Sequence, residues 1–241
     1  MLNSLLNVAA AHESAQDSVP LGRVEKILFE LGLAFTAAGI EIVDPRRAET
    51  CYIHHTCRPA AMAGYAQVSV AFARGRFPNF AFVDLIAARP AMDDGEVRAL
   101  AVLCGADVTE DCLRSPAAAF GRQLWVVIDR YELGAFFERL APARAYGTGG
   151  EHFQTIPRGA DSLAATEQNE AARAQWRADY RKLPAYRQLL VASIVRLYNS
   201  NEKLWLMRVP KAWHAADGLR ALRDAGVLAD WARLVALYPG W

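Results

Sequence analysis

Apolar residues follow a helical period at both ends of the chain and a strand-like pattern in its middle. Apolar positions three or four residues apart mark one helical face from Leu2 to Ala9 and a second from Val24 to Phe35. The stretch Ile40–Val43 alternates between apolar and polar residues, which predicts a short strand. Alternation also predicts a strand over 203–209, although residues 186–209 fit both periods in part. Towards the C-terminus the helical spacing predicts helices over 162–181, 189–198, 211–225 and 229–237.

The middle of the chain is predicted to hold strands. Gln67–Phe72 and Phe80–Ile86 have the apolar and aromatic composition of two strands joined by a turn, and Leu124–Ile128 predicts a third. Short helices are predicted over Gly95–Leu103 and Tyr131–Leu140.

A length of 241 residues suffices for one large domain or two small ones. Proline and glycine concentrate between residues 141 and 160, which predicts a linker or long loop. We expect an N-terminal helical segment (1–44), a zinc-ribbon-like α+β module (45–140), the linker (141–160) and a basic, mainly helical module (161–241). The predicted fold class is α+β, with a zinc-ribbon-like strand module followed by a mainly helical C-terminal module.

Four cysteines fall into two pairs about fifty residues apart, and two pairs of soft ligands predict a closed zinc site. Five residues separate the first pair and seven the second, whereas two to four are usual in zinc knuckles. A histidine in place of a cysteine would restore a normal spacing. The candidate ligands are Cys51, Cys57, Cys104 and Cys112, with His54 or His55 as a substitute. The alternative is four ordinary cysteines, one or more of them buried as small hydrophobic side chains.

The formal net charge of the chain is only +1, but the positive charge is unevenly distributed. Between Ala171 and Trp213 nine basic residues stand against two acidic ones, giving this segment a charge of +7. Arg173, Arg177 and Arg181 follow each other at intervals of four, so one helix would carry three guanidinium groups in a row. Tryptophans and tyrosines lie among these bases, a composition that suits phosphate neutralisation and base stacking. The alternative is a solvated helix face whose aromatic side chains point into the core.

A second basic motif lies between the two predicted strands of residues 67–86. Arg74, Arg76 and Asn79 would stand at the tip of a hairpin, where they could enter a groove and contact base edges. The alternative is an ordinary surface turn.

Nothing in the sequence resembles catalytic machinery, so we expect no enzyme. No stretch approaches the ~20 apolar residues of a membrane span, and the first residues lack the basic and apolar parts of a secretory signal. We therefore predict a cytoplasmic protein with no membrane partner. In that reducing compartment paired cysteines are more often metal ligands or free thiols than disulfides.

A short helical N-terminus, a four-cysteine region with a strand pair, a tryptophan-containing strand and a basic C-terminal region follow one another in this chain. This layout, over residues 45–215, resembles the protein that serves as the large subunit of type IV CRISPR effector complexes, where that subunit is small. The resemblance implies a non-catalytic subunit that holds the 5′ end of a guide RNA and tests the short duplex motif flanking a target DNA. Guide RNA, target DNA and other protein subunits of a ribonucleoprotein are the implied partners. The residues assigned to this function are Arg74, Arg76 and Asn79 for the flank, and Arg173, Arg177, Arg181, Lys203 and Arg208 for backbone contacts.

The alternative function is a protein–protein scaffold or regulatory protein with a structural metal site. Its six tryptophans would supply the interface anchors.

Overall fold

Helices dominate the part of the chain that the structure describes, which in this computed structural model is residues 21–50, 58–109, 112–113, 116–140, 151–158, 167–198 and 213–240. The helices are α1 (Leu21–Glu30), α2 (Pro45–Thr50), α3 (Pro59–Val68), α4 (Val70–Arg76), α5 (Phe82–Ala87), α6 (Asp94–Leu103), α7 (Pro116–Arg130), α8 (Glu167–Lys182), α9 (Ala185–Tyr198), α10 (Ala215–Asp224) and α11 (Leu228–Ala236). The strands are β1 (Leu33–Thr36), β2 (Gly39–Ile42), β3 (Phe137–Arg139) and β4 (Thr155–Pro157). They form two small antiparallel sheets, β1 with β2 and β3 with β4. The described fold therefore mixes α and β structure and is mostly helical.

Helices α5, α9 and α11 meet in the core. Phe82 of α5 packs against Trp231 of α11 with ring centroids 5.6 Å apart, and both side chains are buried. The Trp231 indole N–H donates to the Ser193 hydroxyl at 2.9 Å, and this hydroxyl donates to the Leu189 carbonyl oxygen at 2.7 Å. The hydroxyl of the buried Ser193 in α9 thus both accepts and donates a hydrogen bond, as a polar group inside a core requires.

Helix α3 is buried on every side over its first eight residues, Pro59–Ala66. Most of its side chains are small, which lets α6 and α10 pack closely against it. Its one large ring, that of Tyr65, is fully buried, and the hydroxyl donates to the Leu31 carbonyl oxygen at 3.1 Å. Helix α3 therefore connects the N-terminal elements to the C-terminal helices.

Arg89, in the 3-10 helix Arg89–Ala91 after α5, binds the end of α11. Its Nε donates to the Val235 carbonyl oxygen at 3.0 Å and its Nη2 to that of Ala236 at 2.9 Å. Carbonyl groups in the last turn of a helix lack partners within it, and a cation there also suits the helix dipole. Burial lowers the pKa of the Arg89 guanidinium, but its charge is placed where these carbonyl groups stabilise it.

The turn between α1 and β1 requires glycine. Gly32 has φ +70°, and a Cβ there would lie 2.5 Å from the Asp44 carbonyl oxygen. The predicted strand Ile40–Val43 is confirmed as β2. The helical face predicted from Val24 to Phe35 is correct only as far as Glu30, because the chain turns at Gly32 and continues as β1.

The predicted strands over Gln67–Phe72 and Phe80–Ile86 are wrong, because both segments are helical. The first spans the end of α3 and the start of α4, where the Ser69 hydroxyl caps α4 by accepting from the Phe72 N–H at 3.3 Å. The second is mostly α5, which buries four of its six residues and is too short for its apolar spacing to be distinguished from that of a buried strand. The strand pair of a zinc-ribbon-like module is therefore not formed by these residues.

Two further predictions in the middle of the chain are also corrected. Leu124–Ile128 belongs to the helix α7 instead of a strand, and Tyr131–Leu140, predicted as a helix, forms a turn followed by β3. The helix predicted over Gly95–Leu103 is confirmed as α6.

The four helices predicted towards the C-terminus are confirmed as α8 to α11, and residues 185–198 are helical. The strand predicted over 203–209 lies outside the described residues, as does most of the linker predicted over 141–160. Buried residues before and after that linker belong to one core cluster, while the proposed division into modules stays a prediction. None of the described helices is both long and apolar enough to cross a membrane.

Candidate nucleic-acid interface

Two aromatic side chains fix helix α8 on the body of the protein. The rings of Trp176 and Tyr180 stack with centroids 5.6 Å apart and an interplanar angle of 5°. The Trp176 indole N–H donates to the Phe136 carbonyl oxygen at 3.3 Å, and the Tyr180 hydroxyl donates to that of Gln188 at 3.1 Å. Both side chains are buried, with 7% and 3% of their surface exposed. These contacts define which face of α8 points away from the core.

The three arginines of α8 move outward along the helix. A step of four residues turns about 40° around a helix axis, because one turn takes about 3.6 residues. Arg173 and Arg177 are half-buried beside the two stacked rings, and both interact with other groups of the chain, whereas Arg181 is exposed. The row that the sequence predicts is therefore present on α8, with its C-terminal end in solvent.

Arg158, which follows β4, lies beside this row. The Phe136 carbonyl oxygen accepts from both the Arg158 backbone N–H, at 2.9 Å, and the Trp176 indole, at 3.3 Å. The Arg158 side chain is exposed, and its Nε and Nη2 donate to the Gly134 carbonyl oxygen at 3.1 and 3.0 Å. These two hydrogen bonds fix the orientation of the Arg158 guanidinium. Because a guanidinium has five N–H donors, three of them do not bond Gly134.

Arg139 of β3 adds a further cation. Its guanidinium lies 5.5 Å from the centroid of the half-buried Trp125 ring, a cation–π distance. Neither Arg139 nor Arg158 stands out in the sequence, because each is an isolated base far from the +7 segment. The hydrogen bonds to Phe136 bring Arg158 beside α8, whereas Arg139 contacts Trp125 of α7. We call Arg158 together with the row on α8 the basic face, and its members are Arg158, Arg173, Arg177 and Arg181.

Acidic side chains neutralise other bases of α8 and α9. Arg187 forms an ion pair with Glu132 at 2.7 Å, and hydrogen bonding to this carboxylate raises the pKa of the Arg187 guanidinium. Lys182 pairs with Asp179 at 2.9 Å; hydrogen bonds from the Gln175 amide and from Lys182 lower the pKa of the Asp179 carboxyl. The charges of these two cations are therefore balanced by neighbouring carboxylates, and the basic face does not include them.

Arg74, Arg76 and Asn79 do not stand on a hairpin tip. Both arginines are in the last turn of α4, and Asn79 follows it with φ 61°, a left-handed conformation that asparagine tolerates. The Nε of Arg74 donates to the Asp217 carboxylate at 3.1 Å, and its Nη2 donates to the same carboxylate oxygen. This hydrogen bonding raises the pKa of the Arg74 guanidinium. Arg76 donates to the Glu49 carbonyl oxygen and lies over the Phe72 ring.

These two arginines therefore connect α4 to other elements and lie apart from α8. Lys203 and Arg208, the other predicted contacts, lie outside the described residues.

The cysteines that the structure describes are both free thiols. Cys104, at the end of α6, is buried, and loss of hydration raises the pKa of its thiol. It borders a crevice too narrow for a water molecule, which is also lined by Ala63, Ala66, Gln67, Leu219, Arg220, Arg223 and Leu228. Zinc binds the thiolate and itself displaces the thiol proton, so Cys104 as a ligand stays a prediction.

Cys112 lies in a more polar environment. Its Sγ accepts from the Thr109 hydroxyl at 3.3 Å and lies 3.8 Å from an Arg233 nitrogen. Among the described residues no three His, Cys, Asp or Glu side chains are placed to bind one metal ion. Cys51, Cys57, His54 and His55 lie outside the described residues, so the four-ligand zinc site stays a prediction.

The geometry thus places Arg158 beside the row on α8, whereas Arg74 and Arg76 contact Asp217, Glu49 and Phe72. The chain matches no family model, and comparison with curated proteins and with solved structures gives no match either.

Proposed function

We propose that this chain is a non-catalytic nucleic-acid-binding subunit of a ribonucleoprotein, and that its basic face contacts backbone phosphates. The observation that carries the proposal is the shared acceptor at Phe136. Through this carbonyl oxygen, Arg158 and Trp176 lie side by side, which adds Arg158 to the row on α8.

Arginine suits this function because its planar guanidinium binds phosphate oxygens in a bidentate way and stays charged at every physiological pH. The Arg158 side chain is already oriented by its two hydrogen bonds to Gly134, so less conformational freedom is lost when a phosphate binds. Arg181 lies one turn beyond Arg177, and its side chain is exposed to solvent.

The layout that resembles the type IV CRISPR large subunit gives the proposal its partners, which are a guide RNA, a target DNA and other protein subunits. Under this proposal Lys203 and Arg208 supply further backbone contacts. Arg74 and Arg76 could contact the flank of the target only if they released Asp217 and Glu49.

Fluorescence anisotropy with labelled nucleic acid, measured over a range of salt, tests the proposal. The variant is Arg158→Glu with Arg181→Glu, and the matched control is Lys26→Glu with Arg46→Glu on α1 and α2. Both pairs change the net charge equally, and all four side chains are exposed. We expect the first pair to weaken binding at least about tenfold, with a smaller salt slope because two phosphate contacts are lost. Equal effects of the two pairs would count against the basic face, and absence of binding by the unmodified protein would refute the proposed function.

Exposed apolar side chains favour a second candidate, the protein–protein scaffold. Phe29, Phe35 and Val43 are 64%, 46% and 57% exposed, and all belong to the α1–β1–β2 region. Large exposed apolar groups close together are typical of protein-binding surfaces. A protein partner that stays bound after nuclease treatment and high salt, and is lost with Phe35→Ser and Val43→Ser, would support this function.

A further inference from the structure

The start of α10 is closed by a histidine that forms a hydrogen bond through each ring nitrogen. His214 is the N-cap of α10, and its Nδ1 accepts from the Ala216 N–H at 3.2 Å. Its Nε2 lies 2.6 Å from the carbonyl oxygen of Phe77, at the end of α4. A carbonyl oxygen can only accept and a backbone N–H can only donate, so Nε2 carries the proton and Nδ1 carries none. The two contacts together therefore require the neutral imidazole in one tautomer.

Backbone hydrogen bonds hold the same two segments together. The Phe82 N–H donates to the Trp213 carbonyl oxygen at 2.8 Å, and the Ala215 N–H donates to that of Phe80 at 2.9 Å. These two bonds form an isolated antiparallel bridge at His214. We call them, together with the two hydrogen bonds of the His214 ring, the clasp. The clasp fixes the turn between α4 and α5 against the start of α10, and the imidazole is the titratable group within it.

Protonation would convert the Nδ1 acceptor into a donor. An imidazolium donates from both nitrogens, so its Nδ1–H would meet the Ala216 N–H as donor against donor. The bond to Phe77 would survive, whereas the cap would be lost. A positive charge is also unfavourable at the start of a helix, where the helix dipole is itself positive. Histidine is the side chain whose charge ordinarily changes between about pH 5 and 8, and His214 is only half-buried, so solvent reaches it.

The charged side chains on the elements that meet at the clasp offset one another. Asp217 lies in the first turn of α10, and its carboxylate accepts from Arg74 of α4. Arg76 is also in the last turn of α4, and Asp84 is in the first turn of α5. The turn that joins these two helices, residues 77–81, has no charged side chain. Two acids and two bases therefore surround the clasp, so the hydrogen bonds of the ring decide which form of the imidazole it accepts.

We infer that His214 is a pH-sensitive cap of α10. The neutral imidazole closes the clasp, and the imidazolium opens the first turn of α10 while the rest of the core stays folded. Lys203 and Arg208 precede the clasp in the chain, so opening it would free the point at which their segment joins α10. The inference goes beyond the proposed function and does not depend on it.

Nuclear magnetic resonance of the full chain tests the inference. Long-range ¹H–¹⁵N correlation at pH 7.5 identifies the tautomer of His214, and we expect the proton on Nε2. Amide exchange at pH 7.5 and 5.5, corrected for the intrinsic rate, measures the cap. We expect protection of the Ala216 amide to fall at least about threefold at the lower pH, as the loss of a helix cap implies. The Val191 amide in the middle of α9 is the internal reference, because it reports changes in global stability.

Two variants separate the roles of the two ring nitrogens. His214→Asn keeps an oxygen that can cap α10 at either pH, so we expect the Ala216 amide to keep its protection at pH 5.5. His214→Gln places an amide nitrogen near the position of Nε2 but lacks the acceptor at Nδ1, so protection should already be low at pH 7.5.

Three results would overturn the inference. The first is a proton on Nδ1 of His214 at pH 7.5 in the unmodified protein. The second is a loss of protection at Ala216 that is as large in His214→Asn as in the unmodified protein. The third is an equal loss at Ala216 and Val191, which would mean that acid acts on the whole fold instead of the cap.

Discussion

The guanidinium of Arg58 donates two hydrogen bonds to the Glu96 carboxylate, at 3.2 and 3.0 Å to Oε2, while Oε1 accepts from the Ala60 N–H at 3.1 Å. Glu96 belongs to the first turn of α6 and Ala60 to the first turn of α3. The buried Glu96 carboxylate thus accepts from a backbone N–H at the start of α3 and also pairs with Arg58, the residue that precedes α3. The orphan N–H groups at a helix start need such partners.

Replacing Glu96 by alanine removes all three hydrogen bonds and leaves a half-buried cation without this partner. We expect a loss of about 2 kcal/mol in the free energy of unfolding, below the usual range for a broken buried pair because Arg58 is about one-third exposed. Urea denaturation measures the loss. The control is Glu30→Gln, which removes the exposed partner 3.6 Å from Arg58 and should cost less than about 0.5 kcal/mol. Equal losses would contradict the assignment of Glu96 as the structural partner.

Gly218 of α10 lies against the Phe82 ring, and a Cβ at this position would overlap the ring. Since Phe82 is fixed by Trp231, the ring cannot move without disturbing the core. We expect Gly218→Ala to destabilise the protein by about 1–3 kcal/mol, as overpacked cores do. Gly75 of α4 faces open space, so Gly75→Ala is a matched control that should be neutral or stabilising by up to about 1 kcal/mol. Thermal unfolding of the two variants distinguishes them, and a neutral Gly218→Ala would show that the contact is not tight.

Stability should fall as the solution is acidified, in part because of His152. The imidazole is 1% exposed and packs edge-on against Phe120, and burial lowers its pKa, while the nearby backbone of Gly240 and Ala117 acts in the opposite direction. Below the unfolded-state pKa of about 6.5, the unfolded chain binds a proton that the folded chain resists. Above about pH 6.5 the free energy of unfolding is therefore not reduced by His152. Below that pH it decreases, by at most about 1.4 kcal/mol per pH unit.

Denaturation curves between pH 7.5 and 5.5 measure this dependence. We expect His152→Gln to flatten the curve, even if it lowers stability at neutral pH. The comparison variant is His214→Asn, which keeps a side chain able to cap α10 and leaves His152 in place. A pH dependence unchanged in His152→Gln would show that other groups cause it.

The two described cysteines should differ in reactivity. Cys104 is buried, which raises the pKa of its thiol, whereas Cys112 is half-buried near Arg233. We expect iodoacetamide to modify Cys112 in the folded protein and Cys104 only after denaturation, since the thiolate is the reacting species. Peptide mass mapping gives the answer for each cysteine. Alkylation of Cys104 at the rate of Cys112 would contradict its burial.

The same experiment with added zinc tests the predicted metal site. Protection of Cys51, Cys57 and Cys112 by one equivalent of zinc, reversed by a chelator, would support it. Metal-independent labelling of all three would refute it.

Sequence periodicity predicted the C-terminal helices because α8, α10 and α11 each bury one face and expose the other. In α7 a helical period was also present, since Phe120, Leu124, Val127 and Ile128 are all buried. The continuous apolar run 124–128 obscured it, because a short apolar run alone fits a buried strand equally well.

Helix α3 gave no such signal, because it is buried on nearly all sides and no polar stripe interrupts its apolar positions. Helix α5 does expose Asp84, but six residues are too few to separate a helical period from a strand. The candidate interface was predictable only in part for a different reason. The row on α8 is local in sequence, whereas Arg158 lies beside it because both Arg158 and Trp176 donate to the Phe136 carbonyl oxygen, and a single sequence does not encode that proximity in any pattern.

The cap that Arg89 places on α11 has a consequence for how the chain folds. Its two hydrogen bonds join residues separated by 146 and 147 positions. Closing so long a stretch of chain costs entropy before any contact is gained, and such topologies fold slowly. During synthesis, helices α3 and α5 leave the ribosome well before α9 to α11 can cover them. The earlier helices must therefore remain with part of their apolar surface uncovered until α11 has left the ribosome, and we expect their folding to be completed only then.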